Sequence, residues 1–545
     1  MVRARSGRLA AVAVAVLLGL SACGTEYSTP ADRPGPRQAN EVTIGVAGDE
    51  GTLTPYTHQT GYPGRNLVAL VYDTLLDRDQ HNELKPLLAT GVEANQDNTA
   101  FTVPLRTDVR WHDGKPFTAA DVVFSVDYHR QHPEGDSVPA IANVTAVTPR
   151  ADTVDTVVFT LAAADPDFPS RLLADLRILP EHVWSTIDAP ETATVEQAVG
   201  TGPYRLTKYT KDQGYELSAN AEYPIGRPKI KTIKIAIIPE QQTGIAALRT
   251  TEVSVLSGQL PAEQAAGLRR QPGVRIAHGS SFTSTLLAFN NGRAPFDDPT
   301  VRAAISAAID QQSLIDTVLR GGGQPGSPGF WHPDAAGADT ALRHDYDPKH
   351  AAELLDKAGA TPGQDGIRVL AGKPMSYPLL VQSENPRRVR AAELIRDMLS
   401  EVGIAVKVSA MDSDSVDAKV WPELDVGKGR DYDLAMWGWS APVMLDPTSM
   451  SDILDADTSV GRLNITGTND ADIDGAAGRL RDATTTDDRR AALRDLQGLV
   501  EAKVPFVTLY YPEDSFGYRS DVYDGWVYQE GQGLLAKQSF VDLRW

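Results

Sequence analysis

The sequence predicts a mixed α/β fold, and three observations carry that expectation. Strand-like and helix-like stretches alternate along the chain instead of segregating into blocks. In the second half, Pro378–Gln382 reads as a buried strand and Arg387–Ser400 as a helix stopped near Gly403. Ile404, Val406 and Val408 then alternate as a second strand. Such a strand-helix-strand unit crosses over right-handed within a parallel sheet. The third observation is length, because 545 residues call for two or more domains.

The elements follow in chain order. Arg3, Arg5 and Arg8 precede an apolar run from Leu9 to Leu20, which ends in Leu-Ser-Ala-Cys. A basic start, a short apolar run and a small-residue cleavage site make a secretory signal, expected over residues 1–22. The apolar run is about half of the roughly 20 residues needed to span a bilayer. Cys23 after Leu-Ser-Ala resembles the bacterial lipobox, in which the cysteine becomes the lipid-bearing first mature residue. Cys23 is the only cysteine, so an internal disulfide is excluded and stability must come from core burial. Residues 23–40 carry Pro, Gly, Thr and Asp without apolar periodicity, and read as a flexible tether. No second segment is apolar enough to cross a membrane.

Glu41–Val46 alternates as the first strand, and Thr99–Leu105 follows a turn at Asp97-Asn98. Asp113-Gly114 marks a tight turn. Thr118, with Asp121 three residues on, forms a short-acid capping box for a helix running to about His129, with Val122, Val123 and Val126 on one side. Asp298-Pro299 and Asp347-Pro348 each start a helix, the Asp as cap and the Pro at the first turn. Val301, Ile305 and Ile309 line the first of these, and Gly359 ends the second. Gly321–Gly329 reads as a surface loop, and it lacks the Lys-Ser/Thr of a phosphate-binding loop.

The net charge is -20, near -23 without the leader. That acidity excludes a nucleic-acid binder, which needs a basic footprint. The ten histidines are scattered, no metal-site spacing is present, and no cofactor is expected. No Gly-x-Ser-x-Gly or His-Glu-x-x-His motif is present, and the lone cysteine sits in the leader. An enzyme is not expected.

A long series of blocks resembles one family. Leu84-Lys-Pro-Leu-Leu-Ala-Thr is followed by Phe101–Arg106 and by Val109-Arg-Trp-His-Asp-Gly-Lys-Pro-Phe-Thr-Ala-Ala-Asp-Val-Val-Phe-Ser. Gly200–Leu206, Phe289-Asn290, Pro295–Asp298, Val301–Ile305, Tyr346–Pro348 with Glu353-Leu-Leu, and Val504–Val507 come in the same order. Together they resemble the peptide/nickel-type (family 5) solute-binding proteins of bacterial ABC importers, over nearly the whole mature chain. Most of these blocks specify structure: Trp111 as a core anchor, Gly202-Pro203 as a turn, Asp298-Pro299 as a cap.

The resemblance implies a two-lobed periplasmic-binding-protein-like fold with a ligand cleft and hinge closure. Lobe I is expected over 41–288 with an inserted subdomain at about 83–195, lobe II over 289–504, and a return to lobe I over 505–545. It implies a monomeric, extracytoplasmic, lipid-anchored capture protein that binds a small solute, an oligopeptide foremost, and delivers it to ABC permease subunits. A transport-inactive scaffold regulating an envelope process is the alternative.

In peptide-binding members an Asp within Trp-x-x-Asp-x-x-Asp/Glu-Pro receives the peptide amino group. Here the segment reads Trp437-Gly438-Trp439-Ser-Ala-Pro-Val443-Met-Leu-Asp446-Pro447. Aligned on Asp446-Pro447, the position falls on Val443, so the carboxylate is absent and binding of a free N-terminus is in doubt. Asp446 itself is expected to cap the next helix. Trp437 and Trp439 share parity on an extended chain and point to one side, where at least one ring is expected to line the cleft. Tyr56 and His58 fall in a loop that resembles a ligand-contacting segment. Asn290 sits at the expected hinge, where a structural role is the competing reading.

Overall fold

The computed structural model describes residues 36–58, 63–133, 139–150, 155–363 and 365–545. Cys23, the leader and most of the tether lie outside the described residues. Among the described residues no helix is long and apolar enough to cross a membrane.

One 12-stranded sheet organises the chain. At one end, Ala39–Val46 runs parallel to Ile230–Ile237 and to Val255–Leu256. At the other, Ser376–Gln382 lies parallel to both Ala405–Met411 and Leu434–Trp437. The helix Pro386–Glu401 connects the first two of these and packs against both. The strand-helix-strand unit therefore forms as expected. Ser376–Gln382 is buried continuously over Leu379–Val381, whereas Ala405–Met411, at the edge of the sheet, alternates and leaves Lys407 exposed.

The two ends meet on one strand. Phe506–Arg519 pairs antiparallel with Thr285–Phe289 over its first residues and with Val274–Ser280 over its last. Its neighbour Thr285–Phe289 is buried throughout. Apolar clusters divide accordingly. Leu75–Ile178 contributes a core of its own around Trp111, Phe101 and Phe168. A second cluster joins Val42–Tyr72, Leu179–Ile235 and Phe516–Val541. Residues between Phe282 and Tyr511 form two more, one on each face of the sheet.

Local signals act as the residue chemistry demands. The Thr118 backbone N–H donates to Asp121 Oδ2 at 2.8 Å, closing the capping box. The helix runs from Ala119 to Gln131, two residues past the expected end. Its inner face is Val122, Ser125, Val126 and His129, at helical spacing, whereas Val123 is only half-buried. Asp298 accepts from the Thr300 amide and Asp347 from the Lys349 and His350 amides. Gly359 takes φ +87°, as a helix-ending position requires.

The Gly321–Gly329 stretch differs from a plain surface loop. Gly323–Pro325 pairs with Tyr510–Pro512. A Cβ on Gly326 would stand 2.0 Å from the Thr508 carbonyl oxygen, so glycine permits the close approach.

Two buried polar groups tie distant segments together. Asp73, fully buried, accepts from Lys537 Nζ at 2.6 Å, Thr201 Oγ1 at 3.1 Å and Tyr223 Oη at 3.3 Å. This fastens the C-terminal segment to the first part of the chain. Arg302 donates to three carbonyls, those of Phe296, Lys503 and Val504, at 2.6–2.8 Å. Val504 has φ +47°, so Arg302 holds a left-handed corner just before the shared strand.

Burial keeps His332 and His112 neutral. His332, fully buried, stacks on Phe282 with centroids 4.4 Å apart. Its Nδ1 accepts from the Asp334 amide at 3.1 Å, leaving Nε2 to donate to Ser280 Oγ at 2.8 Å. Burial pushes His332 and His112 down from 6.5 to about 4. As pH falls below 6.5 the unfolded chain takes up protons that the folded one refuses. The stability they provide is therefore complete above pH 6.5 and lost as pH falls toward 4. The chemical-denaturation midpoint should drop across that window, and His332→Gln should flatten the drop. An equal drop in the variant would refute the His332 contribution.

Candidate ligand-binding cleft

The Trp-rich segment leaves the sheet at Trp437, passes through the short helix Ala441–Leu445 and reaches Asp446-Pro447. A cavity of about 370 Å³ lies at its first end, lined by Gly438, Trp439 and Ser440. A second, of about 340 Å³, lies at its last end, lined by Leu445, Asp446 and Pro447. Volumes of this size suit small ligands.

Glycine is obligatory at the first cavity. A Cβ on Gly438 would meet the Ser284 carbonyl oxygen at 2.0 Å and Arg388 Nη2 at 2.4 Å. The Trp439 amide donates to Ser284 Oγ at 3.1 Å, and the Ser284 amide donates to the Trp439 carbonyl at 2.9 Å. These bonds clamp the segment onto the chain entering Thr285–Phe289. Trp437 and Trp439 are each 7% exposed, with ring centroids 6.3 Å apart and planes at 68°. Both belong to the same apolar cluster, and of the two Trp439 lines the cavity.

The remaining candidates are placed as follows. Val443 is half-buried on the short helix, against the core, and lines neither cavity. Asp446 accepts from the Thr448 amide and hydroxyl at 3.0 and 2.7 Å, and faces Arg171 at 3.7 Å. The N-cap of the following helix is Thr448, so Asp446 stabilises the turn before that helix. Tyr56 is buried, its hydroxyl bonded to His129 Nδ1 at 2.9 Å and its ring stacked on that imidazole. His58 Nδ1 donates to the Thr54 carbonyl at 3.0 Å. Asn290 is buried and donates to the Tyr432 carbonyl at 3.0 Å, a fold-holding contact. Tyr56, His58 and Asn290 line neither cavity.

Several lining residues escaped the sequence reading. Arg387, Arg388, Tyr510 and Asp514 surround the first cavity. Burial pushes the Asp514 carboxyl up to about 6, opposed by Arg387 and Gln259. Burial likewise draws the Arg388 guanidinium down. Their one sequence signal is Pro386-Arg387-Arg388 at a helix start, where cations oppose the helix dipole. In the second cavity, burial pushes Asp175 up, but Arg78 and Arg65 beside it outweigh that and hold it below the usual range.

Among the described residues no group of three or more His, Cys, Asp or Glu side chains could hold a metal ion.

The comparisons with known proteins agree with this architecture. The family described as "Bacterial extracellular solute-binding proteins, family 5 Middle" matches residues 83–461. Protein XP55 of Streptomyces lividans is 31% identical over 436 residues, 79% of this chain and 78% of that protein. The oligopeptide-binding protein AppA of Bacillus subtilis is 24% identical over 542 residues, 96% of each chain. The fold is shared with the substrate-binding protein CtaP of Listeria monocytogenes at TM-score 0.77 and 20% identity, over 93% of this chain and 99% of that one. It is also shared with NikA of Brucella suis in complex with Fe(III)-EDTA, at TM-score 0.74 and 21% identity, over 92% and 100%. The sheet, the cleft-side segment and these matches converge: the chain belongs to the family 5 extracellular solute-binding proteins of bacteria.

Proposed function

We propose that this solute-binding protein captures a small solute, an oligopeptide foremost, in the cleft beside Trp439 and releases it to an ABC permease. The observation that carries the reading is the cavity beside Trp439, lined by hydroxyl, amide and charged side chains as well as by apolar surface. A regulatory scaffold without a ligand has no use for such a space, so capture is favoured over that alternative. Relatives such as the oligopeptide-binding protein AppA support the peptide class. In this reading the chain divides into lobe I (41–288 and 505–545) and lobe II (289–504), with crossings at Asn290 and Val504, five and six residues along the paired strands from Thr285 and Tyr510, which line the cavity.

Closure has a physical latch in this reading. Asp167, in the part built around Trp111, is ion-paired with Arg489 on the helix Thr486–Lys503, and both side chains are 18% exposed. Arg171 faces Asp446 in the opposite sense. Burial pushes Asp167 up and Arg489 opposes it. A partly buried pair that still touches solvent is worth on the order of 1 kcal/mol, which shifts an open–closed ratio by less than about tenfold.

Asp167→Asn should therefore enlarge the radius of gyration of the solute-free protein in small-angle scattering. The swap Asp167→Arg with Arg489→Asp should restore it. An unchanged radius in Asp167→Asn would remove the latch.

The lipid anchor belongs to the same proposal. Cys23→Ser should release the protein from the cell surface into the medium while leaving its fold intact. Retention of the variant in the membrane fraction would contradict the anchor.

A further inference from the structure

The strand that joins the two ends of the sheet carries a carboxylate into the gap beside it. Asp514 follows Pro512 on that strand, opposite Gly279 in the ladder, and lines the cavity beside Trp439. Its surroundings come from both parts of the chain. Gln259, Ser281 and Thr283 precede the crossing at Asn290, whereas Leu319, Arg387 and Trp439 follow it. Burial between these walls pushes the carboxyl from 3.8 up to about 6, and Arg387 and Gln259 only partly offset the shift.

The other charges nearby leave that imbalance in place. Arg388, next to Arg387 on the helix Pro386–Glu401, is bonded to Gln382 Oε1 at 3.0 Å. On the strand itself, Glu513 lines an adjoining cavity of about 240 Å³, which shares Leu319 and Arg387 with the first. Burial pushes Glu513 up as well, and Asp334 adds to the shift. Arg387 is thus shared between the spaces in which two carboxylates stand. Glu263 and Arg320, which also line the adjoining cavity, pair with each other at 2.5 Å. On the neighbouring strand His278 is bonded to Ser515 Oγ at 2.9 Å, and burial, with Arg269 beside it, draws it down. Tyr510 stays protonated, because burial pushes it up.

The cost of a charge in this gap depends on whether water is excluded. Walls drawn from both parts of the chain exclude it while those parts stand together. When they part, water reaches Asp514 and its carboxyl returns toward 3.8. We propose that Asp514 couples solute capture to the acidity outside the cell: closing the cleft protonates its carboxyl, and opening the cleft releases the proton. The sign follows from linkage. Above the closed-state value of about 6, closure must bury a charge, whereas below 3.8 both states hold the proton. Solute affinity therefore rises as pH falls through this window. Burial also raises Asp167 at the latch, so the share of Asp514 is the difference between the parent protein and Asp514→Asn.

This proposal rests on solute capture by closure, and two readouts separate it from that reading. The first is the radius of gyration of the solute-free protein in small-angle scattering, at about pH 7 and about pH 5. It should shrink in acid for the parent, and Asp514→Asn should already be compact at the higher pH. The second is the affinity for a mixture of tripeptides of glycine, alanine and leucine, whose termini barely titrate between those values. The parent should bind up to about tenfold more tightly at the lower pH. Asp514→Asn should lose most of that gain and bind tightly at both. Arg387→Gln, which removes the opposing cation, should move the midpoint to higher pH, and it carries the test if Asp514→Asn does not fold. A pH dependence that Asp514→Asn keeps in full, or a midpoint unmoved in Arg387→Gln, would overturn the proton coupling. Tripeptide binding that is equal at both pH values, with an unchanged radius, would overturn the coupling and leave capture standing. Absence of tripeptide binding, with a radius that still responds to pH through Asp514, would overturn tripeptide capture and support the coupling.

Discussion

One strand holds the two ends of the molecule in a single sheet. Phe506–Arg519 pairs with Thr285–Phe289 at its start and with Val274–Ser280 at its end. Each part of the chain must therefore pack its core without breaking that ladder. Pro512 sits at the midpoint, where it has no amide hydrogen to give, and there its partner is the short strand Gly323–Pro325. Arg302 fixes the corner at Val504 through three carbonyls. The strand is thus anchored where it begins, and its pairing changes partners at Pro512.

The cleft follows from that change of partners. Where the ladder passes from one set of strands to the other, Ser281, Thr283, Ser284, Thr285, Tyr510 and Asp514 line the same space. The Trp437–Pro447 segment leaves the neighbouring strand there, clamped by Ser284. A gap at the junction of two independently packed bodies is the cheapest place to build a binding site, because the cores need not be hollowed. At the other end of that segment, beside the second cavity, Asp167 pairs with Arg489 and Arg171 faces Asp446. Both pairs keep some contact with solvent, which limits what each contributes to stability.

Much of the local structure was legible in the residues, and the reason is that its causes are local. Thr118, Asp298 and Asp347 cap helices through amides two or three residues away. The parallel unit around Pro386–Glu401 shows in apolar spacing. Trp439 was marked by its place in the segment. The long-range chemistry was not legible. Asp167 and Arg489 are 322 residues apart, and Lys537 and Asp73 are 464 apart. Tyr56 was marked as a ligand contact by resemblance, and the fold supplies it with His129 as a partner. Gly323–Pro325 carries no strand pattern; the exposed edge of a neighbouring strand recruits it. Arg388 could be flagged as a cation at the wrong end of a helix, but only the fold shows that its Nε has no partner.

The central claim is that a solute closes the junction beside Trp439. Hydrogen-exchange mass spectrometry, with and without an added oligopeptide mixture, tests it most directly. The account predicts slowed exchange at Ser281–Thr285, Gly438–Ser440 and the start of Pro386–Glu401, together with the 165–171 turn across the latch. Protection confined to other surfaces, with these segments unchanged, would contradict it.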